Sequence, residues 1–319
     1  MKIGEKAPQF KDILAWLNTD KALLGDFLGH TIYLEFWDHS SLSCINALPF
    51  TKGLWKNYRE EGLVVIGVHS PEYEFGRYID NLTMAIKRYG IGYPVAQDNN
   101  NSTWFLYGNR YIPRQFVIGA DGNILHSQVG QGNEVETENL IRGELESKGA
   151  SLKASISKRS AKLPLLEGLS PETYLGSKEI MSPKKFSSYK LAHEVAYNDP
   201  GDHQDDKAYL EGRWKQFEEF IENEEDVSEY LVFRFTARSV FAVLSSYTGP
   251  GIVEVLLDND TVKSEEAGDD IEWDQDGRSI VNVSFSGLYS LVRLKDMEKR
   301  ELKLVPYQKG LQFYALSFD

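Results

Sequence analysis

Cys44 is the only cysteine in the chain, and Ser41 stands three residues ahead of it, in Leu34-Glu-Phe-Trp37-Asp-His-Ser-Ser41-Leu-Ser-Cys44-Ile-Asn-Ala-Leu-Pro49. If a helix starts here, hydroxyl and thiol lie about one turn apart. They sit at the end where unpaired amides and the macrodipole favour a thiolate. A single cysteine forbids an internal disulfide, so the chain alone is limited to monothiol chemistry, with an external thiol as resolver. A serine hydroxyl replaces a thiolate nucleophile only with a strong base nearby. Three readings of Cys44 follow: a reactive monothiol, the remnant of a replaced pair, or a buried small hydrophobe, free cysteine being among the most buried residue types.

His39 and His69 fall near predicted strand ends and are read either as bases or as structural residues. The six histidines are scattered and no spacing suggests zinc, so neither metal nor cofactor is expected. Asp258-Asn-Asp260 and Asp274-Gln-Asp276 resemble fragments of calcium loops without a full ligand set and are read as turns. The acidic run over residues 218–229 is read as a solvated surface.

These residues need a frame. At 319 residues two domains are the natural expectation. A net charge of −13 excludes nucleic acid as the natural partner. No stretch approaches the roughly 20 apolar residues of a membrane span, and the start lacks a signal-peptide core. The chain as given therefore reads as cytoplasmic, with an extracytoplasmic site if a leader was removed.

Over residues 1–148 strands and helices alternate. Thr31 to Trp37 is an apolar run of strand length, and residues 47–61 have helical spacing. Leu63-Val-Val-Ile-Gly-Val68 reads as a strand buried on both faces, and residues 78–89 as a helix. Arg114-Gln-Phe-Val-Ile-Gly119 and residues 124–129 read as a hairpin, followed by a charged helix over 134–147. A mixed α/β sheet follows. Residues 149–169, rich in Ser, Lys, Ala and Gly, have linker composition. From 170 to 319 short strands separated by turn clusters predict an antiparallel sandwich: 230–235, 240–244, 251–257, 279–285, 288–294, 301–305 and 311–318.

The first half resembles the thioredoxin superfamily in its redoxin (TlpA-like, AhpC/TSA-related) branch. The residues that carry this are Gly4-Glu-Lys-Ala-Pro8-Gln-Phe10, Phe36-Trp37, Gly62-Leu-Val-Val-Ile-Gly-Val-His69-Ser-Pro-Glu72 and Tyr107-Gly-Asn-Arg-Tyr-Ile-Pro113. More narrowly, the chain looks like the C-terminal, extracytoplasmic region of DipZ-type proteins. There a thioredoxin-like domain precedes a β-sandwich resembling a carbohydrate-binding module. Leu169-Ser-Pro-Glu-Thr-Tyr-Leu-Gly176, Gly287-Leu-Tyr-Ser-Leu-Val292 and Tyr314-Ala-Leu-Ser-Phe318 fit that module. The implied fold class is an α/β thioredoxin-like domain followed by an all-β jelly-roll-type sandwich domain.

That family carries Ser-Cys-Ile-Asn-Cys before Ala-Leu-Pro. Without gaps, Ser41 takes the first cysteine position and Cys44 the second; with a shift, Cys44 takes the first and Ala47 the second. The distances to Trp37 and Pro49 favour the ungapped register. The resemblance implies catalytic roles at Cys44 and Ser41 and substrate contacts from Trp37, Ile112 and Pro113. In the fold the Ile112-Pro113 bond is cis and faces the active-site turn. It implies a protein thiol/disulfide partner or small thiol, and a glycan at the second domain through Trp214, Trp273, Tyr247 or Tyr307, which the core-filling reading of those aromatics opposes. A non-catalytic docking protein is the alternative. A thiol peroxidase is a further one, since Ser41-x-x-Cys44 has the spacing of a peroxiredoxin Thr-x-x-Cys, with Arg110 or Arg114 as the cation, although Trp37 replaces that motif's proline.

Overall fold

Thr31–Trp37 is buried at all seven residues and has a strand on each side, as a strand without polar alternation requires. The structure, a computed structural model, describes residues 1–20, 24–27, 29–156, 167–177, 194–225 and 229–319. It divides into two units, Met1–Pro164 and Leu165–Asp319.

In the first unit β1 is Ala15–Leu17, β2 Thr31–Trp37, α1 Leu42–Tyr58 and β3 Leu63–His69. Then come α2 Ile79–Tyr89, β4 Val95–Gln97, α3 Ser102–Leu106, β5 Arg114–Ile118, β6 Ile124–Val129 and α4 Glu134–Ser147. The sheet order is β1-β4-β3-β2-β5-β6. β3 runs parallel to β2 and β4, while β5 is antiparallel to β2 and β6. The parallel register sets Glu35 opposite Gly67 and Trp37 opposite His69. A Cβ at position 67 would stand 2.9 Å from Trp37 Nε1 and 3.1 Å from Tyr93 Cε2. Glycine in this strand is thus what lets the indole approach the backbone this closely. Two of the motif segments meet, since the Tyr107 hydroxyl donates to the Pro8 carbonyl at 2.9 Å.

Part of the stretch read as linker packs on this unit. Ala150, Leu152 and Ala154 lie against its core, and Arg142 Nη1 donates to the Ala154 carbonyl at 2.7 Å. Residues 157–166 of that stretch lie outside the described residues.

The second unit is all-β and antiparallel. Its strands are β7 Thr173–Tyr174, β8 Glu194–Tyr197, β9 Ala208–Gln216, β10 Ile221–Asn223, β11 Tyr230–Ser246 and β12 Gly251–Leu257. They continue with β13 Asp260–Thr261, β14 Glu272–Trp273, β15 Ser279–Val283, β16 Gly287–Pro306 and β17 Leu311–Phe318. Two of the predicted strand pairs merge: 230–235 joins 240–244 in β11, and 288–294 joins 301–305 in β16. β11 and β16 pair along their length with two register shifts, and β11 changes its other neighbour from β9 to β17. One core cluster, including Trp214, Phe233, Phe235, Val255, Leu304 and Phe313, closes the unit.

The acidic run corrects the surface reading. It contains β10, and Glu229 is buried, accepting backbone N–H bonds from Arg213 at 2.7 Å and Glu225 at 2.9 Å. Residues 226–228 of the run lie outside the described residues. Asp258 and Asn259 form a tight left-handed turn between β12 and β13, and Asp274 accepts the N–H groups of Asp276 and Arg278. Both segments read as turns are turns.

Candidate functional site

α1 starts one residue after Ser41, whose extended backbone (φ −84°, ψ 118°) ends the strand-to-helix loop and whose carbonyl accepts the Ile45 N–H at 3.0 Å. Ser41 is partly exposed at the tip and Cys44 points inward, 1% exposed. Burial pushes the Cys44 thiol well above its ordinary value, with nearby Asp38 and Glu35 carboxylates adding to the rise. Hydrogen bonds from the Ser41 side chain and the Asp38 backbone oppose it without reversing it. The thiol is therefore protonated at neutral pH. A peroxidatic thiolate is disfavoured for the same reason, and Arg114 is engaged with the Ser127 hydroxyl at 3.1 Å and the Phe116 ring.

The Ile112–Pro113 peptide is cis. Ile112 packs on the core cluster that holds Cys44 and Trp37, and Tyr111 beside it is 67% exposed. Trp37 itself is fully buried, its indole N–H without a hydrogen-bond partner among the described residues. The ring lies in the same core cluster as Cys44.

A residue absent from the sequence reading lies in the same layer. Glu35, in the middle of β2, is 1% exposed and accepts hydrogen bonds from Thr51 Oγ1 of α1 at 2.8 Å and Gln115 Nε2 of β5 at 3.2 Å. Burial raises its carboxyl to about 7, the two hydrogen bonds holding the rise in check. It is a buried group that changes charge near neutrality, close enough to Cys44 to act on its ionisation. The signal in the sequence was the lone carboxylate in an otherwise uncharged strand.

His39 and His69, scattered in sequence, meet. Their rings stack at 5.1 Å, with His39 Nδ1 2.9 Å from His69 Nε2. Asp38 Oδ2 lies 3.2 Å from the same His69 Nε2. All three residues are buried. Asp38 Oδ1 accepts from the Ser40 backbone at 2.7 Å and from the Ser40 hydroxyl, and Oδ2 from the Glu72 N–H at 3.2 Å. Burial alone would raise Asp38, but the His69 hydrogen bond, the two imidazoles and Ser40 outweigh it and hold the carboxyl below the usual range.

In the second unit the aromatic candidates differ in burial. Trp214 is a core residue at 1% exposure, which removes it as a sugar platform. Tyr307 donates to Glu254 at 3.0 Å under the Arg278 guanidinium. Trp273 and Tyr247 are exposed.

Residues 2–141 match the redoxin family, and residues 170–318 match the family described as thioredoxin like C-terminal domain. The chain is 32% identical over 258 residues to protein DipZ of Mycobacterium tuberculosis, covering 79% of this chain and 36% of that protein. It is 32% identical over 130 residues to NHL repeat-containing protein 2 of Homo sapiens, 40% of this chain and 18% of that protein. Thiol-disulfide oxidoreductase ResA of Bacillus anthracis is 27% identical over 142 residues, 44% of this chain and 78% of that protein. The chain thus spans about a third of the DipZ proteins it matches. Among solved structures, a thiol-disulfide isomerase from Corynebacterium glutamicum aligns with TM-score 0.40 and 23% identity, over 44% of this chain and 96% of that one. No helix among the described residues is long and apolar enough to cross a membrane.

Proposed function

Because the chain belongs to the thioredoxin-like redoxin family, we propose that its first unit binds a polypeptide partner without dithiol exchange. Cys44 then supports at most monothiol chemistry. The observation that carries this reading is the burial of the one thiol beneath Ser41, with its ionisation pushed up. A protonated, enclosed thiol is a poor nucleophile. The surface a partner would meet is the turn at Ile112 and Pro113 with the exposed Tyr111 ring. The partner class is a polypeptide bearing a thiol or disulfide, as the name of the ResA relative suggests.

A second reading has one observation in its favour. Glu35, with its carboxyl near 7, is suited to take a proton from Cys44 once a partner disulfide reaches it. Cys44 would then attack the partner disulfide, form a mixed disulfide and expel a thiolate, and an external thiol would release it.

Alkylation of the native full-length chain as a function of pH separates the two. The binding reading expects Cys44 to react no faster than a buried thiol, with no half-point below that of free cysteine. Rapid alkylation at neutral pH, with a half-point that shifts in Glu35→Gln, would overturn it in favour of monothiol exchange. The Ser41→Cys variant restores the missing position. It is expected to gain a dithiol-driven insulin reduction that the parent lacks.

A further inference from the structure

We propose that Asp38, His39 and His69 form a site for a divalent transition cation of the zinc class, at the carboxyl ends of β2 and β3. The inference does not rest on the redox reading, because Cys44 is not one of the three ligands, although Asp38 lies close enough to bear on the Cys44 thiol.

The argument begins with where the hydrogen bonds converge. In a proton relay, a histidine uses its two ring nitrogens on opposite sides, one facing the carboxylate and the other the next acceptor. His69 does not. The same atom, Nε2, faces both Asp38 Oδ2 at 3.2 Å and His39 Nδ1 at 2.9 Å. Its other nitrogen, Nδ1, is buried with no partner among the described residues. Three acceptor-capable atoms, one from each residue, all lie within 4.8 Å of one another. In the tautomer that places a proton on His69 Nε2, that one proton faces both neighbours at once. A dication in its place meets three lone pairs directly.

Two of the three ligand separations suit such an ion. Four ligands at zinc bond lengths of about 2.0–2.1 Å stand about 3.3 Å apart at tetrahedral angles. The Asp38–His69 separation of 3.2 Å already fits, and the two imidazole nitrogens at 2.9 Å need to part by about 0.4 Å. Two imidazoles and a carboxylate are a borderline donor set that suits zinc, cobalt or iron rather than calcium or magnesium. Three protein ligands leave a fourth position for a small molecule such as water.

The surroundings hold the ligands in place. Asp38 is fixed from outside by the Ser40 N–H and hydroxyl on Oδ1 and by the Glu72 N–H on Oδ2, which leaves one lone pair of Oδ2 turned to His69. Trp37 meets His69 edge-on at 5.4 Å, and Phe75 meets His39 at 5.6 Å, forming an apolar shell. Two consequences follow. The site is closed to solvent in the folded chain, so the ion enters as the chain folds. The His69 Nδ1–H of the metal-bound form has no acceptor, a shortfall that typically weakens a site 10–100-fold. Affinity is therefore modest for a three-ligand zinc centre.

The test is refolding of the full chain with excess zinc, removal of free metal by gel filtration, and metal analysis. The expected content is about one zinc per chain. His39→Gln and Asp38→Asn should each cut retained zinc about tenfold or more, while His203→Gln, a histidine held by two carboxylates elsewhere, should retain it. Less than about a tenth of a zinc per chain, or equal retention in the site variants and the parent, overturns the proposal. Should the variants fail to fold, cobalt decides on the unaltered chain. Refolding with cobalt should give the intense visible absorption of a four-coordinate ion, and the weak spectrum of the hexaaqua ion would refute the site.

Discussion

Two histidine clusters in this chain are built from similar groups and arranged oppositely. In the second unit His203 uses both ring nitrogens, Nδ1 to Glu301 at 2.8 Å and Nε2 to Asp199 at 2.7 Å. Asp199 and Glu301 are tied in turn to the Tyr230 hydroxyl and the Arg234 guanidinium. Two carboxylates on opposite sides call for two ring protons, so the geometry selects an imidazolium, and its pKa is raised: burial would lower it, and the Glu301 and Asp199 hydrogen bonds and charges override that. In the first unit His69 turns one nitrogen to both neighbours, and a second proton there would have no acceptor. Similar residues thus hold a proton between two carboxylates in one unit and turn their donor atoms toward one another in the other, and direction rather than composition decides.

The largest effect that would sharpen this contrast is at Glu35. Its folded value of about 7 lies above the ordinary 4.5, so its contribution to stability is whole below about pH 4.5 and is lost as pH rises through about 7. The span is on the order of 3 kcal/mol. Hydrogen exchange at β2 amides should show this loss in the parent and a flat profile in Glu35→Gln. A persistent slope in the variant would place its origin elsewhere.

Next is Gly67→Ala. The new methyl collides with the Trp37 and Tyr93 rings, which should cost about 1–3 kcal/mol in denaturant unfolding and leave β11 exchange untouched. An unchanged midpoint would show that the indole can shift, and with it the neighbouring His69.

The smallest effect belongs to His203→Gln. A folded value above the ordinary 6.5 means that the clamp is intact below about pH 6.5 and fades as pH rises through the folded value. The variant should lose about 1–2 kcal/mol at acid pH and match the parent at alkaline pH. A deficit that does not depend on pH would mean that packing of the ring against Tyr209, not its charge, is what holds the segment.

Much of the frame was legible because burial leaves a period in the sequence. Uninterrupted apolar runs marked β2 and β3, and the charged helix α4 announced itself. β9 did not, since Ala208–Gln216 carries three charges and Gly212 at φ 88° in its middle. β11 and β16 looked broken where their polar residues pass the solvent, although the backbone ladder runs on from Phe235↔Arg300 to Ala237↔Glu298. At the site, the resemblance implies a helix beginning at Ser41, and the helix does start one residue later. Depth was not legible: nothing local says that Trp37 and Cys44 are enclosed. The His39–His69 pair was invisible for a different reason. Thirty residues separate them, and only the parallel register of β2 and β3 makes them neighbours. The second unit matches the family described as thioredoxin like C-terminal domain, and of its aromatic candidates Trp214 is a core residue.

The chain beyond α4 sets where the first unit can be cut. Ending a fragment at residue 148 would strip Ala150, Leu152 and Ala154 from its packing and leave the Arg142 guanidinium without the Ala154 carbonyl. Arg142 also donates to the Tyr58 hydroxyl at 2.9 Å, and that hydroxyl donates to buried Glu138 at 2.6 Å. A boundary chosen by composition would therefore disturb an acid one turn back on the same face of the helix. A faithful fragment has to run past Ala154.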